Sequence, residues 1–169
     1  MRLMTLTAVT LAYRKKKIRI DKTTTKVLYR PDTMLISTYD NNRKNFRRMR
    51  VIPLRHNILP PDVAHEITAP DTVIVAWTDE EIMLLQQLLH EAGLKSRRIM
   101  IGHYREYLAS IGIPTKTLAK TAKALGCGTC PREGVVALSK VKRRFFVLRK
   151  TLNVSVKSAS SLSPNSERV

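Results

Sequence analysis

Aromatic residues are scarce in this sequence, at 5% of 169 positions, and cysteine occurs only twice. No apolar run approaches the roughly 20 residues needed to cross a bilayer as a helix, which excludes an integral membrane protein of the helical kind. Two cysteines cannot build a disulfide scaffold. Only 6 glycines are present, and none falls in a Gly-rich nucleotide-binding loop. No internal repeat is found, and neither a Ser/His/Asp arrangement nor a catalytic carboxylate pair stands out. Lys and Arg are missing altogether from residues 61–94, which carry 7 acids.

What is present is positive charge. The chain holds 31 Lys+Arg against 13 Asp+Glu, a formal net charge of +18. A charge of that size repels itself and favours a polyanionic partner. Hydrophobic residues make up 43%, enough for a core, so this is no wholly disordered basic tail. The charge falls in blocks. Residues 1–60 carry 15 Lys+Arg and 3 acids, a net of +12. Residues 95–169 carry 16 and 3, a net of +13. Such blocks imply two kinds of surface, with the basic parts meeting phosphates and the acidic interval facing away from them.

The coarse pattern is α+β. It predicts a small mixed body with a strand–helix–strand unit, flanked by basic extended N- and C-terminal arms. Short strands are expected at Lys26–Tyr29 and Met34–Tyr39, with a turn at Pro31-Asp32 between them. Pro53, Pro60 and Pro61 suggest an extended crossing segment. Thr72–Trp77 reads as a buried strand. Thr78 then caps a helix, with Glu81 completing a capping box and Trp77 placed to staple onto Ile82. Asp79, Glu80 and Glu81 suit the helix dipole, and Gly93 ends the helix. Arg98–Ile101 is expected to be a second strand, reached by a right-handed crossover. A short helix follows over His103–Ile111, then another over Lys116–Leu125 capped by Thr115. Val135–Leu138, Phe145–Leu148 and Leu152–Val156 read as strands or extended arm. The division is therefore 1–60, a basic N-terminal arm with short strands; 61–126, the α/β body; and 127–169, a Cys-x-x-Cys turn with a basic C-terminal extension.

Four basic clusters are candidates for RNA contact. The first spans Arg14–Arg19, with Arg14, Lys15, Lys16 and Lys17 consecutive. The second comprises Arg43, Lys44, Arg47, Arg48, Arg50 and Arg55 around Phe46. The third runs from Lys95 to Arg105 and includes Arg97 and Arg98. In the fourth, Lys140, Lys142, Arg143, Arg144, Arg149 and Lys150 bracket Phe145 and Phe146. Arginine forks bridge phosphate oxygens, and an adjacent flat aromatic can stack on an unpaired base. Lys116, Lys120 and Lys123 fall on one face of the third helix, a surface that would read backbone rather than sequence.

Cys127-Gly128-Thr129-Cys130 is the one recognisable chemical motif. Two thiolates at this spacing can chelate a metal, but a zinc site needs four ligands. The others would come from two of His56, His65, His90 and His103, or from another chain, which could share a zinc ion or an iron–sulfur cluster. The pair follows a helix end instead of starting a helix, which argues against redox chemistry. The sequence favours ordinary thiols and no resident cofactor.

In overall character, with its small α+β body, basic ends and Ser-rich tail (Lys157–Ser166), the chain resembles a ribosomal protein of the mitochondrial kind. No specific motif of such a family is matched, so no functional residue is transferred. The resemblance implies a non-enzymatic structural role, with basic arms on rRNA, the body on neighbouring ribosomal proteins, and no existence as an isolated monomer. The expected location is the mitochondrion, using a retained N-terminal sequence, with the cytoplasm as the alternative. Rival readings are an RNA-processing or ribosome-assembly factor, which would have a self-sufficient fold, and an accessory subunit of another large mitochondrial complex.

Overall fold

The computed structural model describes residues 4–94, 99–127 and 140–166, with side chains through residue 158. A run buried on both faces, from Thr7 to Leu11, carries the first strand, β1 (Thr5–Arg19), into the centre of the protein. Val9 and Leu11 point to one face of the sheet and Ala8 to the other, all three essentially inaccessible to solvent. The N-terminal segment expected to be an arm is thus the middle strand. The sheet continues with β2 (Thr25–Asp40), β3 (Asn45–Phe46), β4 (Arg50–Pro53), β5 (Thr72–Val75) and β6 (Met100–Ile101). β2 lies antiparallel to β1 on one side, and β5 then β6 lie parallel on the other. β3 and β4 share the far edge of β2.

Helices cover both faces. On one face, α1 (Pro61–Ile67) and α2 (Asp79–Glu91) close a core of Leu11, Met34, Ile36, Ile74, Leu85 and Leu88, among others. On the other, α3 (Tyr104–Ser110), α4 (Leu118–Ala124) and α5 (Lys140–Ser166) close a second core around Leu35, Val75, Leu108, Phe145 and Leu148. The α+β body is as the sequence implies, and β5–α2–β6 is its parallel strand–helix–strand unit.

Several local expectations change. Pro31-Asp32 does not make a turn, because β2 runs through it. The register slips there instead, with Ala12 opposite Thr33 and Tyr13 opposite Pro31, so Asp32 bulges. A bulge accommodates a proline that cannot donate to the ladder. Pro53 ends β4 and Pro61 opens α1, where a missing N–H costs nothing. Trp77 and Ile82 do not staple; they go to opposite cores. Thr117, not Thr115, caps α4, accepting from Lys120 N at 3.2 Å. The segments from Phe145 to Val156 are helix rather than strand, and the Ser-rich tail continues that helix to Ser166. Val135–Leu138 lies outside the described residues.

Gly102 is the tightest point of the β6 end. A Cβ there would meet Val73 Cγ1 and Val75 Cγ2 at 3.0 Å, while its N–H donates to Ile74 O at 2.9 Å.

Phe145 decides between a packing and a base-stacking role for its aromatic cluster. It is 0% exposed, so Phe145→Ala should cost about 3–5 kcal/mol of stability in urea unfolding. An unfolding curve like that of the native protein would contradict this placement.

Candidate nucleic-acid interface

Beyond the bulge, β1 and β2 leave the sheet and continue as a two-stranded ribbon. Every residue from Arg14 to Leu28 is exposed. The register pairs Lys15 with Tyr29, Lys16 with Leu28, Lys17 with Val27, Ile18 with Lys26 and Arg19 with Thr25. Each cation thus lies opposite an uncharged residue, and the repulsion of like charges directly across a ladder is avoided. The exception is Arg14 opposite Arg30, and there Asp32 approaches Arg14 Nε at 3.8 Å. The tip is closed by Asp21, whose carboxylate accepts from Thr23 N at 2.8 Å and Thr24 N at 2.7 Å. Those backbone donors hold the Asp21 carboxyl below its ordinary range. Residues 14–30 carry 8 Lys+Arg and one acid.

The ribbon is anchored at its base. Tyr13 and Tyr29 pack edge to face at 5.8 Å between centroids, with Lys15 Nζ 6.0 and 5.7 Å from the two rings. Lys15 also reaches Glu80 Oε1 at 3.4 Å. The Tyr13 hydroxyl donates to Glu80 Oε2. Burial, then the hydrogen bond to Glu80, pushes the Tyr13 phenol up to about 12, and the same bond holds the Glu80 carboxyl down.

Beside it sits Glu81, with no exposed surface. Its Oε2 accepts from Leu11 N at 2.9 Å, and its Oε1 accepts from Thr78 Oγ1 at 2.8 Å and Arg144 Nη2 at 2.6 Å. Thr78 Oγ1 accepts from Glu81 N, and Thr78 N donates to Glu81 Oε1 at 3.3 Å, the two bonds of the capping box. The start of α5 therefore meets the ribbon base. A hollow of about 320 Å³ between them is lined by Leu11, Ala12, Tyr13, Asp32, Lys140, Val141 and Arg144. A second, of about 240 Å³, lies between Arg14, Arg30, Pro31, Asp32, Leu54, His56 and Asn57.

The expected acidic face is accordingly revised. Of the four acids of α2, Glu81 is buried against Arg144, and the partly exposed Glu80 is engaged by Lys15 and Tyr13. A buried carboxylate at a helix start needs donors, and the basic segments supply them.

The other clusters are dispersed. Arg43, Lys44 and Arg48 are exposed around β3, while Arg47 lies 3.7 Å from Asp40 and Arg50 pairs with Glu66 at 2.5 Å. Arg55 is exposed in the 3-10 turn after β4. Phe46 is not free to stack on a base: it packs against Tyr39 at 5.2 Å and onto the second core. Arg149 is folded back over Phe145, 5.0 Å from the ring, and burial holds its guanidinium below the ordinary range. Lys150 covers Phe146 at 4.8 Å. Lys140 and Arg143 are exposed, and Lys142 is partly covered. Lys116, Lys120 and Lys123 are all exposed, although Lys116 precedes the helix and Ala119, expected on its packed side, faces solvent. Arg97 and Arg98 lie outside the described residues.

Cys127 rests against the second core, and burial raises its thiol, which disfavours the thiolate a metal requires. Cys130 lies outside the described residues. Among the described residues no group of three or more His, Cys, Asp or Glu is placed to hold a metal ion, and no helix is long and apolar enough to cross a membrane.

Removing Arg144 takes from the buried Glu81 side chain the shortest of its hydrogen bonds. Arg144→Met should cost about 2–4 kcal/mol, below the range for a fully buried pair because Arg144 is partly exposed. Chemical unfolding measures this, and a loss within about 0.5 kcal/mol of zero would show that the pair is dispensable.

Neither a protein-family model nor a curated protein sequence matches this chain. A solved structure described as "ExoI/SSB-Ct complex" is similar over 92% of this chain and 43% of that one, at 12% identity and a TM-score of 0.49. The chain thus spans less than half the length of that structure, and a likeness so distant assigns it to no family.

Proposed function

We propose that the protein binds structured RNA through its basic ribbon, as a structural constituent of a ribosome rather than as an enzyme. The observation that carries this reading is the ribbon itself. Lys16, Lys17, Lys26 and Arg30 project from it, exposed and without an ion-pair partner among the described residues. A protruding ribbon with a net of +7 over 17 residues would repel itself and lower stability unless a polyanion offsets it. Lys140 and Arg143 at the start of α5 widen the same basic end. rRNA and neighbouring ribosomal proteins are the partners this reading implies.

One observation favours a second reading. The segments expected to thread as arms are instead folded into a body with a closed core on each face of the sheet. A body of that kind suits an RNA-processing or ribosome-assembly factor, which must be stable when free.

Salt dependence tests the shared part of both readings. Affinity for a structured rRNA fragment should fall steeply with salt as counterions are released. Lys16→Glu, Lys17→Glu and Lys26→Glu together should flatten the log–log slope by about one for each phosphate that is no longer neutralised. A slope unaltered by the three changes would remove the ribbon from the interface. Sedimentation of native particles separates the two forms: stoichiometric association with a mature ribosomal subunit is expected of a constituent, and a protein found only free or on precursors would be a factor.

A further inference from the structure

We propose that one face of the ribbon is an aliphatic strip bordered by cations that seats in the minor groove of double-helical RNA; this rests on the RNA-binding reading above and names its target. Residues directly opposite each other in a ladder share a face. The pairs Lys16–Leu28 and Ile18–Lys26 therefore project together. Leu28 and Ile18 are diagonal neighbours there, and Ile20 continues the same alternation one step past the strand. These three side chains are 40%, 38% and 60% exposed. They form an apolar strip, with Lys16 and Lys26 beside it and Arg14 and Arg30 at its base.

The bulge at Asp32 produces this arrangement. On the body side of it, the even-numbered Met34 and Ile36 of β2 share a face with Leu11 and Val9; beyond it, the odd-numbered Tyr29 shares that face with Lys15. Leu28 is thereby turned to the opposite face, the side of the sheet that carries α5. Without the slip, Leu28 would oppose Lys17 on the face of Tyr13, and Tyr29 would turn to the other face, parting the tyrosine pair.

The chemistry of the strip selects its occupant. Single-stranded nucleic acid is held by stacking on aromatic rings, and this face has none. Interfacial membrane segments add aromatic anchors to their Leu and Lys/Arg, and residues 14–28 contain no Phe, Trp or Tyr. B-form DNA admits a two-stranded ribbon in its major groove, but the floor there is a row of base-edge donors and acceptors that an aliphatic face leaves unpaired. The minor groove of A-form RNA is wide and shallow and displays ribose edges. Aliphatic side chains can lie on those sugars while Lys16 and Lys26 reach phosphates at the groove margins. The strand length involved, six residues at about 3.4 Å each, gives roughly 20 Å of contact.

The test uses the full chain carrying Ile18→Ser, Ile20→Ser and Leu28→Ser. Its probes are an RNA duplex, the DNA duplex of the same sequence, each single strand, and phosphatidylserine-containing vesicles. The native protein should prefer the RNA duplex, and the triple variant should lose affinity for it by about tenfold or more. Its salt slope should stay unchanged, because every cation is retained. Should the triple variant lose its unfolding transition, Ile20→Ser alone, at the most exposed position, should still weaken binding about threefold. Undiminished duplex binding by a folded variant overturns the proposal, as does equal native affinity for DNA or single strands. Vesicle binding that the serines abolish, stronger than RNA binding, would make lipid the occupant and overturn it too. Salt-dependent RNA binding that ignores the serines defeats this inference alone, whereas no salt-dependent RNA binding by the native protein defeats both readings.

Discussion

Three elements far apart in the sequence close on the carboxylate of Glu81. The central strand offers Leu11 N, the start of α2 offers the Thr78 hydroxyl, and α5 offers the Arg144 guanidinium. A charge buried without donors is intolerable, so these groups must assemble together or not at all. The position matters because Leu11 lies just beyond the stretch of β1 paired with β5, which ends at Ala8. An N–H on the free edge of a buried strand would otherwise be an orphan. Glu81 satisfies it, and in doing so fixes where the strand leaves the body and the ribbon begins.

The ribbon is the consequence of that anchoring. From Tyr13 outward the strands have no core beneath them, and a free two-stranded hairpin is marginal in water. The Tyr13–Tyr29 contact, the bonds to Glu80 and the Asp21 turn supply local order at its two ends. Opposing every paired cation but Arg14 and Arg30 with Leu, Val, Ile, Thr or Tyr keeps the ladder together while leaving the charge outward. Charge that is segregated along the chain is therefore recombined in space. Two acids of the 61–94 interval hold the basic segments at their roots, while Lys16, Lys17, Lys26 and Arg30 on the projection have no ion-pair partner among the described residues.

The parts legible in the sequence are those with local causes. Thr78 and Glu81 announce the start of α2 by spacing alone, Gly93 its end, and Thr-Val-Ile-Val the strand before it. The central place of β1 is not legible, because its buried part, Thr7–Leu11, is short and Thr-rich and runs directly into the charges of residues 14–17. A signal exists in the complementarity of the two segments flanking Asp21–Thr24, which sets Lys15, Lys16, Lys17 and Lys26 opposite uncharged residues. The helix at Phe145–Val156 is hidden because Phe, Val and Thr favour strands locally, and burial against the sheet overrides that preference. Glu81 reads as a cap and is one, but its bonds to Leu11 and Arg144 span 70 and 63 residues. No spacing rule reaches that far.

The central claim is that the ribbon, and not the basic surface at large, carries the nucleic acid. Ultraviolet crosslinking of native ribonucleoprotein particles, with the attached residues located by mass spectrometry, tests it most directly. The account predicts RNA adducts concentrated between Arg14 and Arg30, with further ones at Lys140 and Arg143. Adducts confined to Arg43–Arg48 or to Lys116–Lys123, with a bare ribbon, would contradict it.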